Sequence, residues 1–263
     1  MKRMTKEEFR EVELTIADEI HRICEEHGLR YSLAYGTLLG AVRHGGFIPW
    51  DDDMDMYMPR ADYDRLIDHF DEWRSDERFE MMAPRKMNSP YTMAKVIDSS
   101  TYVKSIWDKE RYSLGVWVDL IPVEYYDEKN TRAIDEITFY KKLRALGVSD
   151  PKAGTNKKRI LLKSIVCPIA SLFIEPMAMA RTVDGLASQQ CKEPGDIVAS
   201  LVNIHHKKVI SFPKQWYDDM VLMDFEDRKY LGPADYDAVL TNEFGDWRTP
   251  VKDVPHLEEA YWK

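Results

Sequence analysis

Asp53 and Asp55 stand inside an apolar run of Phe47, Ile48, Trp50, Met54, Met56 and Met58, and that combination restricts what the chain can fold into. Acidic residues alternating with Met54 and Met56 predict a β-strand, on which side chains two apart project from one face. Two carboxylates so placed repel each other unless a cation lies between them. Oxygen ligands of this kind suit Mg²⁺ or Mn²⁺. The chemistry that most often needs them is transfer of a phosphorus group from a nucleotide. A solvated acidic turn is the competing reading, but such a loop has no use for so much apolar surface.

The surrounding chain predicts regular elements. Thr5 with Glu8 forms a capping box ahead of a helix whose Phe9, Val12, Ile16, Ile20 and Ile23 share a side, and Gly28 is placed to end it. Leu29, Tyr31, Leu33 and Tyr35 alternate as in a half-buried strand. A short helix is expected over Thr37–His44 and another over Ala61–Trp73. Short strands are expected around Phe79–Met82, Tyr91–Ile97, Tyr102–Ile106 and Val116–Ile121. Asn130 caps a further helix that Gly147 ends. Helices alternating with a mixed set of strands indicate an α+β (α/β-like) fold around one central sheet.

The polar stretch 151–158 separates this part from the most apolar run of the chain, I-L-L-K-S-I-V-C-P-I-A-S-L-F-I. That run is shorter than the roughly 20 residues a bilayer span needs. A buried helix kinked at Pro168 is the expectation. The alternative is a helix lying on a membrane surface, helped by Lys152, Lys157, Lys158, Arg159 and Lys163.

The segment G-T-L-L-G-A-V-R-H-x-G-F-I-P-W-D-D-D-x-D resembles the signature of the LicD family, which includes bacterial phosphocholine transferases and is related to fukutin and fukutin-related protein. Weaker echoes are Lys95 and Asp98 in A-K-V-I-D, the run Gly115–Pro122, and F-G-D-W followed by His256; the resemblance thins from about Asn130 to Phe212. It implies a nucleotidyltransferase-type core with a mixed central sheet flanked by helices, plus a largely helical insertion. On that division residues 1–150 are the catalytic core, 151–195 the helical insertion facing a membrane or the acceptor, and 196–263 a C-terminal part packed on the core.

In such a site Gly36 lets backbone approach phosphate without a Cβ in the way. Thr37 supplies a hydroxyl, and the helix it opens offers free N–H groups to an anion. Arg43 can bind phosphate bidentately and His44 can donate a hydrogen bond or proton near neutral pH; a surface pair on a helix end is the bland reading. Asp119 is the candidate third carboxylate, because a charge among the apolar residues of W-V-D-L-I-P must be paired or metal-bound. It could serve as metal ligand, as base for the acceptor hydroxyl, or as both, and a salt bridge to Lys or Arg is the alternative. Asp51 is read as a second-metal or supporting ligand, and Asp52 as facing away. Lys95 is placed to neutralise the donor's pyrophosphate, or is a surface lysine. His205, His206 and His256 lack partners at ligand spacing and are read as structural.

The activity implied by the resemblance is transfer of phosphocholine or a similar group from a CDP-linked donor to a hydroxyl of a cell-surface glycan or its lipid-linked precursor, with release of CMP. A net charge of −9 argues against a nucleic-acid partner. The three cysteines, Cys24, Cys167 and Cys191, are widely spaced and form neither a zinc motif nor a disulfide framework. With no signal-peptide pattern at the start, the expectation is a cytoplasmic protein, with peripheral contact at the inner face of the cell membrane as the variant. Two rivals remain: a D-x-D glycosyltransferase using a nucleotide sugar, and a non-catalytic relative acting as a scaffold.

Overall fold

The computed structural model describes residues 1–263 apart from 106, 154–155, 193–194, 205–207 and 252–258; the side chains of 159 and 191–192 are also outside the description. His205, His206, His256 and the Cys191 thiol therefore lie outside the described residues.

Local signals shape the first helix. Strand β1 (Lys2–Arg3) leads into α1 (Lys6–His27). Thr5 Oγ1 accepts from the Glu8 N–H at 3.1 Å and Glu8 Oε2 from the Thr5 N–H at 2.9 Å, which closes the capping box. Gly28, at φ 65°, stops the helix in the left-handed conformation. The predicted strand around Leu29–Tyr35 is only β2 (Ser32–Leu33), and it is buried on both faces rather than one. Tyr35 does not extend it: at φ 44° it opens α2 (Tyr35–His44).

The predicted aspartate strand is also shorter than its alternation suggests. Strand β3 is Asp55–Pro59, so Asp53 precedes it in irregular chain. Residues 48–51 are instead tied to α1, through Lys6 to the Pro49 carbonyl (2.7 Å) and Arg10 to the carbonyls of Ile48 (2.7 Å) and Asp51 (3.0 Å).

Helix α3 (Arg60–Trp73) follows, then β4 (Phe79–Met82), β5 (Ala94–Asp98), β6 (Thr101–Lys104) and β7 (Val116–Tyr125). The central sheet runs β2-β3-β7-β5-β4. Only the β3/β7 pair is parallel among these; the other pairs are antiparallel, so the sheet is mixed as expected. Met54, Met56, Met58, Val118 and Leu120 are wholly buried on one side of it, against an apolar cluster that includes Ile16 and Ile20 of α1.

The next helices are α4 (Thr131–Val148), α5 (Lys157–Ala170) and α6 (Pro176–Ser188). Asn130 Oδ1 accepts from the Ala133 N–H at 3.3 Å, the expected cap, while α4 runs one residue past Gly147. Ile134 and Ile137 of α4 form a second apolar cluster with Val183 and Ala187 of α6 and Leu201 and Val202 beyond it. Helix α5 contains Pro168 but is not buried: Leu161 and Ile165 are 67% and 57% exposed. Only its other side, at Cys167, is covered, so the expectation of a buried helix is corrected.

Strands β8 (Ile197–Ala199) and β9 (Ser211–Pro213) extend the sheet beyond β7. A hairpin of β10 (Met220–Phe225) and β11 (Arg228–Pro233), helix α7 (Tyr236–Phe244) and strand β12 (Glu259–Trp262) complete the chain. Phe212, Phe225, Tyr230, Val239, Leu240 and Trp247 share the main core with α1 and the sheet. Strand β12 pairs with both β1 and β6.

Arg60 pins the two clusters together. Its guanidinium, at the end of β3, donates to Glu124 of β7 (Nε at 3.2 Å) and to Asp184 of α6 (2.7 Å), and Glu124 also accepts from the Leu201 N–H at 3.2 Å. Glu124 is 0% exposed. Arg60→Met should therefore cost about 3–5 kcal/mol by orphaning two buried carboxylates, read as a lowered urea midpoint at unchanged slope. A midpoint within error of the parent would show that the network is not structural.

Candidate active site

Strand register assembles the centre. Parallel pairing sets Asp55 of β3 opposite Asp119 of β7, and antiparallel pairing sets Lys95 of β5 opposite Asp119 on its other side. Partners in register point to the same face, so Lys95, Asp119 and Asp55 form a row across three strands. Lys95 Nζ donates to both Asp119 oxygens, at 2.6 and 2.8 Å, and Trp117 Nε1 donates to Oδ2 at 3.0 Å. The Lys95 ammonium also lies over the rings of Trp117 (4.5 Å) and Tyr91 (5.0 Å). Both members of this ion pair are more than 90% covered, at 7% and 8% exposed.

Asp53 joins the row from outside the strand. Its carboxyl is pushed up to about 7, first by the protein packed around it and then by repulsion from Asp51, Asp119 and Asp52. The side chain keeps contact with solvent, so the depression is open to a hydrated ion. Asp55 is raised well above the usual carboxylate range by burial, then by Asp53 and Asp119, with Lys95 pulling the other way. Asp51 is raised by burial, partly offset by a hydrogen bond from the Asp53 carboxyl and by the Asp52 N–H. Among the described residues no Lys or Arg lies within salt-bridge distance of Asp53 or Asp55.

The α2 turn shapes the floor. The Thr37 hydroxyl accepts from the Asp55 N–H at 2.8 Å, which fixes the start of β3 rather than leaving the oxygen free for phosphate. A Cβ on Gly36 would stand 2.6 Å from Asp51 Oδ2, so the missing side chain here admits the Asp51 carboxylate to the positive end of α2. Arg43 and His44 occupy the last turn of α2, about 10 Å along the axis from Thr37. Arg43 Nη1 donates to the Trp247 carbonyl at 2.8 Å, and His44 stands edge-on to Trp50. The structure does not bring this pair to the carboxylates.

Two groups escaped the sequence reading. Glu13 of α1, 1% exposed, is held well above the usual carboxylate range by burial and then by Asp53 and Asp52, and its Oε2 has no hydrogen-bond partner. Its signal was present: an acid four residues after Phe9, on the apolar side of α1. The second is a polar aromatic cluster on the Asp55 face of the sheet. Tyr57 donates to Glu243 Oε1 (3.1 Å), Asn203 donates to the Tyr35 hydroxyl (3.3 Å), and burial pushes Glu243 up to about 8. A cavity of about 510 Å³ opens beside it, lined by Tyr57, Tyr125 and Tyr217, by Arg30, and by Asp64 and Asp218, which pair with the lining cations Arg60 and Lys214.

Asp53 and Asp55 fit a divalent cation in chemistry: hard oxygen ligands outside any ion pair among the described residues, with Asp53 raising the proton affinity of Asp55. Among the described residues, however, no three such side chains already stand in a metal-holding arrangement. Asp119 is engaged by Lys95 instead.

Residues 28–147 match the family model described as LicD/FKTN/FKRP, nucleotidyltransferase domain. Over 99% of its length the chain is 28% identical to lipopolysaccharide cholinephosphotransferase LicD of Haemophilus influenzae, covering 99% of that protein as well. A stretch of 34 residues is 56% identical to human ribitol 5-phosphate transferase FKRP, spanning 13% of this chain and 7% of that one.

The raised carboxyl of Asp53 gives a signed stability test in metal-free buffer. Its proton is held in the fold up to about pH 7 but lost in the unfolded chain near 3.8, so stability should fall as pH rises between those values. Asp53→Asn should remove that decline and be the more stable protein at pH 8, by on the order of 1 kcal/mol after solvent screening. Parallel melting-temperature profiles for the two proteins from pH 5 to 8 would count against the repulsion. Gly36→Ala should displace Asp51 and lower turnover on the order of 10²-fold while barely moving the melting temperature. Full activity would show that Asp51 has no part in the site.

Proposed function

We propose, from the match of residues 28–147 to the LicD/FKTN/FKRP family model and the full-length similarity to a cholinephosphotransferase, that the chain is a LicD-type enzyme that transfers phosphocholine, or a closely similar phospho-substituent, from a CDP-linked donor to a glycan hydroxyl, releasing CMP. The observation that carries the reading is the Lys95–Asp119–Asp55 row with Asp53 beside it, a cationic group and unpaired acids on one sheet face. The full-length similarity to a lipopolysaccharide cholinephosphotransferase favours phosphocholine and a lipopolysaccharide-type acceptor over other pairs.

Asp53, Asp55 and Asp119, with Asp51 in support, are the residues that would hold Mg²⁺ or Mn²⁺. When bound, that ion would neutralise the donor's pyrophosphate and the charge that develops during transfer. Lys95 has two anions to choose between, Asp119 and the incoming pyrophosphate. Once Lys95 turns toward the donor, Asp119 is the carboxylate placed to accept the proton of the acceptor hydroxyl. The hydroxyl oxygen bonds to the distal phosphorus, the bond to the bridging oxygen breaks, and CMP departs with that electron pair. The first turn of α2 contributes its positive end, and Trp117 orients Asp119.

Incubation with CDP-choline, Mg²⁺ and a lipopolysaccharide acceptor should release CMP and leave a phosphodiester on the glycan. Release of a nucleoside diphosphate from a nucleotide sugar would establish the glycosyltransferase alternative instead. Asp119→Ala should lower kcat far more than it weakens donor binding, because Asp53 and Asp55 remain. Equal donor affinity with and without EDTA would show that these acids do not act through a metal.

A further inference from the structure

Helix α5 is turned inside out. At 100° per residue, Leu161, Leu162, Ile165 and Ile169 fall within an arc of about 100°, and all four are exposed. Leu172 and Phe173, in the turn that follows, are 78% and 84% exposed. A helix that buries a face in water hides its apolar one; α5 covers Cys167 and presents the aliphatic stripe outward. Apolar surface gathered in one place marks an interaction site.

Charge identifies the occupant. From Pro151 to Ile174 the sequence contains no Asp or Glu, although the chain as a whole carries −9. Lys157 and Lys158 are exposed at the first turn of α5, and Lys163 is half-exposed within it. An aliphatic stripe bordered by ammonium groups complements an anionic lipid headgroup layer over acyl chains. No helix among the described residues is long and apolar enough to cross a membrane, so the contact is with the surface.

The packed side of α5, where Lys163 stands beside the buried Cys167, lies toward the site. Asp108 is near enough to feel the ammonium groups of both Lys95 and Lys163. A cavity of about 120 Å³ lined by Tyr91, Lys95, Asp108 and Trp117 has the half-exposed Trp107 at its edge.

We propose that the outward face of α5, with the Leu172–Phe173 turn, docks this protein on an anionic bilayer surface. The test uses the full chain and vesicles of phosphatidylcholine with or without phosphatidylglycerol, read by co-sedimentation. Wild type should bind the phosphatidylglycerol vesicles, less so at high salt. Ile165→Glu with Phe173→Glu should weaken binding by about tenfold or more. Lys157→Gln with Lys158→Gln should remove the preference for the anionic lipid. All these positions face solvent, so melting temperatures should hold, and turnover of a detergent-solubilised acceptor should be unchanged. Absence of wild-type binding, or binding that both variants retain, would overturn the proposal. So would a wild-type dimer that the Ile165/Phe173 variant dissolves, since the face would then belong to a second copy. The vesicle readout needs no donor and no turnover, so it stands or falls apart from the phosphocholine reading.

Discussion

Three strands held in register put one cation and two anions in a row, and the rest of the molecule serves that placement. Asp55 faces Asp119 only because β3 and β7 run parallel from that pair onward. A slip of one residue would bring Met54 or Met56 into the row and send the acids into the apolar core on the other side. The register is secured on that other side, where Met56 opposes Leu120, and at the strand's far end, where Arg60 clamps Glu124. Apolar packing thus supplies the energy that holds like charges together.

The acids remain uncomfortable in this arrangement. Asp53, Asp55 and Glu13 all sit above their ordinary proton affinities because burial and neighbouring carboxylates disfavour the charged form. Asp119 accepts hydrogen bonds from Lys95 and Trp117. A site so balanced is poised to take up positive charge, and an arriving cation would relieve what the fold imposes.

The helices beyond the sheet divide into two kinds. Helix α6 joins the second apolar cluster with α4 and is tied to the sheet through Asp184 and Arg60. Helix α5 uses only its Cys167 side for packing and leaves its larger apolar face to the surroundings.

The sequence by itself determined the elements governed by near neighbours. Thr5, Glu8, Gly28 and Asn130 marked helix ends because caps are made within a few residues. The acidic signature marked the candidate segment, because acids in an apolar frame need a partner. Periodicity could not tell where β3 begins, since the chain before Asp55 alternates as a strand does yet is held by α1 through Lys6 and Arg10. Nor could it show that Lys95 would engage Asp119, or that Glu13 would join the acids, because those meetings depend on register and helix docking across distant segments. Whether the aliphatic stripe of α5 faced in or out was likewise a tertiary decision: periodicity fixes which residues share a face, while only the packing of the remaining elements leaves, or does not leave, something to cover it.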